Sequence, residues 1–354
     1  MAQLRPRTKL EWAFLGSTAT QAIVITFIQV IVLISYLRWV NPPVYQVPLS
    51  YITPLSLVVT MLGCIFQVVL TLDALRIKNN IQVVAQCVCN LFISVAVVMQ
   101  YYQIKGANDH ILQGHDMYWN PFAKNDRHFW YHTAASLIVC IVTSCACSVV
   151  MCVLAYSLHR EFAWALYQDV SSEQKMRNRY LAYQVYLVLM KFTVLFLTCF
   201  IIIYDFINVH YMEPEFSLTI SIIPAALLHA VLAAYCVRVE TAIGMALIML
   251  IHMAEIVYLT SRLIVLCGSG FLSRTALKDQ MLLFASVGLS FAIFTFITGA
   301  ICISNFNKGL KPILRGQVQR KVPANQQADM YYFQRLNHQV PPVPDWALRR
   351  FDLD

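Results

Sequence analysis

The sequence predicts an all-α fold: a polytopic transmembrane helix bundle of about eight spans, with the N- and C-termini cytosolic. Three observations predict it. Of 354 residues, 59% are hydrophobic and only 12% are charged, with a mean hydropathy of +0.61. A soluble domain carries about 25% charged residues, so a water-exposed fold of this size could not cover its apolar surface. Second, the chain contains eight apolar runs long enough to cross a hydrocarbon core of roughly 30 Å as helix. Third, Lys and Arg are concentrated in alternate loops, which sets orientation. Together these exclude a soluble enzyme, a secreted disulfide scaffold and a disordered chain.

The spans are expected at about residues 12–37, 52–74, 81–103, 132–158, 179–208, 216–237, 241–264 and 280–304. The first follows Arg5, Arg7 and Lys9 and is too long for a cleavable leader, so it reads as a signal anchor. The second opens on Thr53-Pro54, a helix-start pair. The fifth is prefaced by Ser171-Ser172-Glu173-Gln174, a capping-box pattern. Pro224 lies inside the sixth and predicts a kink. Spans six and seven are joined by only a few residues, so seven spans is the alternative count. With eight, 18 Lys and Arg fall on the side of the termini and six on the other, with Lys191 and Arg262 inside spans.

The bundle is assigned to residues 1–306, with a luminal loop at 104–131 and a cytosolic loop at 159–179; residues 307–354 form a basic, largely disordered tail. The luminal loop carries Asp109, His110, His115, Asp116, Asp126 and His128, but their spacing matches no zinc pattern. The cytosolic loop begins with Phe162, Trp164 and Leu166 at near-helical spacing, which suits an interfacial segment. Lys308, Lys311, Arg315, Arg320 and Lys321 follow the last span. They are candidate contacts to anionic cytosolic-leaflet lipid, and they also satisfy the positive-inside rule. The net charge of +8 thus implies a membrane surface rather than nucleic acid. Most of the eleven cysteines lie within spans and read as small packing residues.

Ionisable groups within spans are costly and are usually paired or functional. In span five Gln184, Lys191, Thr198 and Asp205 recur every seven residues and form one stripe. Span seven carries His252 and Glu255 on one face, span six His229, and span three Gln82, Gln86, Asn90 and Ser94 at intervals of four. At 1.5 Å per residue, Lys191 lies roughly 18 Å and Glu255 roughly 21 Å from the cytosolic end. Opposite charge at similar depth predicts that Lys191 and Glu255 meet, with His252 beside them. Small residues define packing faces on span eight (Gly288, Ala292, Thr295, Gly299, Cys302) and on span four (Ser136, Cys140, Thr143, Cys147).

Three readings of the polar residues compete. They are register devices, or a transport path for a small solute or proton, or an intramembrane metal-dependent enzyme. For the last, His229, His252 and Glu255 make a two-histidine, one-carboxylate set. Lys191 beside them would repel a cation, and no HExxH or GxSxG motif accompanies them. No catalytic residue, metal site or cofactor is therefore assigned.

Several stretches carry a family resemblance: YLRWVNP at Tyr36–Pro42, YQVPLS at Tyr45–Ser50, ILQGHD at Ile111–Asp116, KMRNRY at Lys175–Tyr180, HYMEPEF at His210–Phe216 and NFNKGLKP at Asn305–Pro312. Together they resemble a fungal family of uncharacterised multi-pass Golgi apparatus membrane proteins. The resemblance implies a Golgi membrane location and a polytopic fold. It supplies no activity, ligand or catalytic residue. The expectation is a non-enzymatic role in Golgi membrane organisation or trafficking, exerted through loops and tail on partners the sequence does not name. A carrier of a small solute or proton is the alternative.

Overall fold

A computed structural model describes residues 8–308 except 42–47, 78, 116–117, 125–128, 170–173, 210–211 and 271–276. Among the described residues eight helices are long and apolar enough to cross a membrane. They are α1 Lys9–Trp39, α2 Ile52–Ile77, α3 Asn80–Gln113, α4 Phe129–Asp169, α5 Gln174–Tyr204, α6 Glu215–Val239, α7 Ala242–Cys267 and α8 Lys278–Ser304. A π-helical turn, Asp205–Val209, extends α5.

Local chemistry sets several ends. The Thr8 hydroxyl accepts the Glu11 N–H at 3.3 Å and caps α1. The Asn79 side chain accepts from the N–H groups of Ile81 and Gln82 and caps α3. Thr53-Pro54 falls in the first turn of α2, as its sequence predicts. Spans six and seven are separate helices. Glu240 ends α6 in the left-handed region, at φ 59°, and Thr241 precedes α7. α6 runs continuously through Pro224.

Two loops are shorter than expected. α3 continues to Gln113, so ten residues assigned to the luminal loop are helical. α4 continues to Asp169, so Phe162 and its neighbours prolong a spanning helix instead of forming a separate interfacial one. Both segments are polar enough to look like loops, but helix propagation past the membrane edge costs little once a long helix exists. The capping-box residues Ser171–Glu173 lie outside the described residues.

The helices form two antiparallel four-helix groups. In the first, α1 packs on α2 and α4, and α3 packs on the same two. In the second, α8 packs on α5 and α7, and α6 on α5 and α7. α5 joins the groups by also touching α2 and α3. Its most apolar window is 72% buried, against 17% in α6 and 22% in α7. That matches a sequence apolar on every side but the Gln184–Lys191–Thr198 stripe, whereas α6 and α7 expose Leu228, Val231, Ile243 and Leu250 to the surroundings. Water would not tolerate such a surface; lipid does.

The small-residue face of α8 does what its pattern predicts. Gly288, Ala292, Thr295, Gly299 and Cys302 are all buried. A Cβ on Gly288 would stand 3.5 Å from Phe196 of α5, and one on Gly299 only 2.7 Å from Met249 of α7 and 3.1 Å from Tyr186 of α5. The first distance is ordinary contact, whereas a side chain at Gly299 would require Met249 and Tyr186 to shift. On α4 the inward face differs from expectation: Thr133, Leu137, Cys140, Ser144 and Ser148 are buried, with Ser136, Thr143 and Cys147 at its margin.

Candidate functional site

The polar residues of the first four helices are tied into layers. The Asn90 carbonyl oxygen accepts from Gln21 Nε2 at 2.8 Å and Gln67 Nε2 at 2.9 Å, and its Nδ2 donates to Ser148 Oγ at 2.7 Å. One side chain thereby links α1, α2, α3 and α4. One turn along α3, Ser94 Oγ lies 2.7 Å from Ser144 Oγ, and nearly three turns along, Gln100 and Gln29 exchange amide hydrogen bonds at 3.0 Å. The interval of four in span three is thus the inward face of α3. Each of its four side chains makes at least one hydrogen bond, with the Gln86 Oε1 left unpartnered among the described residues, and the set serves register.

Lys191 does not meet Glu255. Its ammonium pairs with the Asp73 carboxylate of α2 and donates to Gln82 Oε1 of α3 at 3.2 Å. Gln82 Nε2 in turn donates to Leu70 O at 2.8 Å and to Asp73 Oδ2 at 3.1 Å. The pair fastens α5 to the first group of helices near the end of α2. The expected pairing fails because α5 packs on α2 and α3 as well as on its own group, and Asp73 and Gln82 of those helices stand where Lys191 falls. Asp73 escaped the sequence reading because it sits at the end of its span beside Arg76, where a carboxylate looks interfacial. Its position as an acidic residue on an otherwise apolar span was the available signal.

Glu255 belongs to a second cluster. His229 of α6, His252 and Glu255 of α7 have ligand-capable atoms all within 4.8 Å of one another. The two imidazoles are parallel, with centroids 5.8 Å apart and planes at 6°. His252 Nε2 lies 2.9 Å from the Ala292 carbonyl oxygen of α8, and Nδ1 lies 3.0 Å from Glu255 Oε2. A carbonyl only accepts, so Nε2 is the donor and the neutral ring presents a lone pair at Nδ1. That lone pair faces a carboxylate oxygen without forming an aligned hydrogen bond. Two electron-rich atoms at this distance require a shared positive charge. His229 is 7% exposed, and neither ring nitrogen has a hydrogen-bond partner among the described residues.

The cluster borders a cavity of about 260 Å³ between α5, α6 and α7, lined by Leu197, Ile222, Ala226, His229, Glu255 and Tyr258. Lys191 does not line it. One turn beyond Tyr258, the Arg262 Nη1 donates to Tyr204 Oη at 3.0 Å, and its guanidinium lies over both tyrosine rings. The carboxylate oxygens of Asp205, in the π-helical turn at the same end, are buried and have no hydrogen-bond partner among the described residues. Such turns interrupt helices most often where function needs them. The heptad stripe of α5 is therefore split. Lys191 serves the junction with the first group, Asp205 lies at the far end, and Gln184 is buried and Thr198 half-buried between other contacts. Of the basic residues proposed to meet lipid, Lys308 is described: its carbonyl accepts from Arg179 Nη1 at 2.6 Å. Lys311, Arg315, Arg320 and Lys321 lie outside the described residues.

Eight lipid-compatible helices enclosing a polar cluster define an integral, multi-pass membrane protein. The chain is similar to a UPF0658 Golgi apparatus membrane protein of Schizosaccharomyces pombe, with 25% identity over 272 residues, covering 73% of this chain and 77% of that relative. The resemblance read from the sequence is thus borne out, and with it a multi-pass protein of the Golgi membrane. No family model matches the chain, and no solved structure does.

Proposed function

We propose that the protein carries a small cation or a proton across the Golgi membrane through the α5–α8 group. The observation that supports this reading is the His229–His252–Glu255 cluster, buried within the spans at a cavity, with a lone pair set against a carboxylate and a second imidazole unpartnered. Buried polar groups left without partners cost about 1–3 kcal/mol each, a cost that a transient ligand offsets. Pro224 lies five residues before His229 and leaves the Ile220 carbonyl without its helical donor, which gives α6 a compliant point next to the cluster. The basic residues after α8 then act at the cytosolic face on anionic lipid.

The test is flux. The purified full chain is reconstituted into vesicles holding pH- and zinc-sensitive dyes, under an imposed gradient of either ion. Wild-type protein should discharge at least one gradient, and Glu255→Gln should slow it about tenfold or more. Vesicles as tight as protein-free ones to both ions would overturn the reading.

A further inference from the structure

We propose that His229, His252 and Glu255 form a binding site for a divalent transition-metal ion of the zinc class, with a fourth coordination position open to the cavity. This deepens the carrier reading by naming its ion, and it rests on that reading only for what the ion does after binding.

The donor set is complete and already oriented on one side. Metal-bound histidines usually donate their remote N–H to a carbonyl or carboxylate, which fixes the tautomer. His252 has this arrangement: Nε2 is held by Ala292 O at 2.9 Å, and Nδ1 is turned to Glu255 Oε2. Nδ1 and Glu255 Oε2, 3.0 Å apart, lie at the separation spanned by two ligands of one ion, each bonded at about 2.0–2.2 Å. An ion to the side of the N–O line satisfies both atoms, which a linear hydrogen bond does not. His229 completes the set. The widest separation among the three ligand atoms is within 4.8 Å, whereas coordination at these bond lengths requires about 3.3 Å. His229 supplies the movement, because it has no hydrogen bond to break.

The donor types select the ion. Two imidazoles and one carboxylate favour zinc, iron, nickel or copper over magnesium and calcium, which prefer all-oxygen shells. One carboxylate against a divalent ion leaves a single net positive charge. That charge is tolerable here because Lys191, the cation expected to repel a metal, is committed to Asp73 on another face of α5. Three protein ligands with an open position describe a site that exchanges or acts, whereas structural zinc is closed by four. The cavity of about 260 Å³ supplies that opening.

The experiment uses full-length protein purified in mild detergent through a tag without histidine. It is stripped with chelator, equilibrated with Zn²⁺ or Co²⁺, and assayed for bound metal and for the visible spectrum of bound cobalt. We expect one equivalent of either ion, unaffected by excess Mg²⁺. Affinity should fall tenfold or more in Glu255→Gln and in His229→Gln, and should be unchanged in His115→Gln of the exposed loop. His229→Leu, which removes the ligand without burying a polar group, guards against a folding artefact: at wild-type thermal stability it should still lose the metal. Retention of the equivalent in all three site variants, or its loss in His115→Gln, overturns the proposal. Metal binding without flux leaves the site standing and removes the carrier. Proton flux without stoichiometric metal keeps the carrier and removes this site.

Discussion

The two groups of helices differ in how completely their buried polar side chains are partnered. In α1–α4, Gln21, Gln29, Gln67, Asn90, Gln100 and Ser148 hold one another across four helices. In α5–α8 the core is aromatic: Phe196 stacks with Phe291 at 5.5 Å, and Phe192 with Phe291 at 5.7 Å. There Asp205, Asn208, His229 and Gln280 have both side-chain polar atoms without a hydrogen-bond partner among the described residues, whereas in the first group Gln21 and Gln86 each leave one amide oxygen unpartnered but bond a neighbour through the other end, and Thr26, Trp39 and Gln103 each leave one atom unpartnered. Partnered groups specify how helices pack. Side chains with neither polar atom partnered, kept at a cost inside a membrane, are the ones a ligand would repay. The comparison therefore locates the proposed chemistry in the second group.

The sharpest way to break this division is at the junction. Lys191→Met strands the Asp73 carboxylate. Removing one partner of a fully buried pair costs about 3–5 kcal/mol. Here both side chains are about a third exposed, so about 2–3 kcal/mol is expected once screening is discounted. Unfolding in mixed micelles measures it. Adding Asp73→Asn should recover most of the loss, and adding Glu255→Gln should recover none. Recovery by Glu255→Gln instead would reunite the two polar clusters that the structure separates.

A smaller effect is expected within the ladder. Asn90→Ala removes two accepted bonds and one donated bond at the centre of α1–α4. Interhelical hydrogen bonds in membranes average about 0.6 kcal/mol each, so a loss of about 1–2 kcal/mol should appear in the same unfolding assay. Metal binding and flux should be unaffected, because nothing in the ladder lines the cavity. A change in either would show that the ladder is part of the path.

Much of this organisation was legible in the sequence, and the missing part has one physical cause. The eight helices were readable because hydrocarbon allows only long apolar runs, but two ends lay about three turns beyond the apolar run, at Gln113 and Asp169. Helix faces were readable too: the interval of four in span three and the small residues of span eight point inward as predicted. What faces what was not. A heptad stripe fixes the side of α5 on which Lys191 lies, but it carries no information on whether α2 or α7 stands opposite. Equal depth suggested Glu255. The real partner, Asp73, stands closer to the end of its own span, so equal depth did not select it. The pairing of His252 with Glu255 was visible as a spacing of three, whereas the approach of His229 depended on how α6 packs.

The last and smallest expected effect concerns His229 itself, and its sign separates the two groups most cleanly. In the ladder, replacing a polar side chain by an apolar one removes partners and lowers stability. His229 has no partner to lose, and its buried nitrogens carry a desolvation cost. His229→Leu should therefore leave stability unchanged or raise it by about 0.5–1 kcal/mol, while flux and metal binding fall. A residue whose removal stabilises the fold and abolishes the activity is held for function. If His229→Leu instead costs as much as Asn90→Ala, the imidazole is a packing element, and the unpartnered atoms of α5–α8 lose the meaning the comparison gives them.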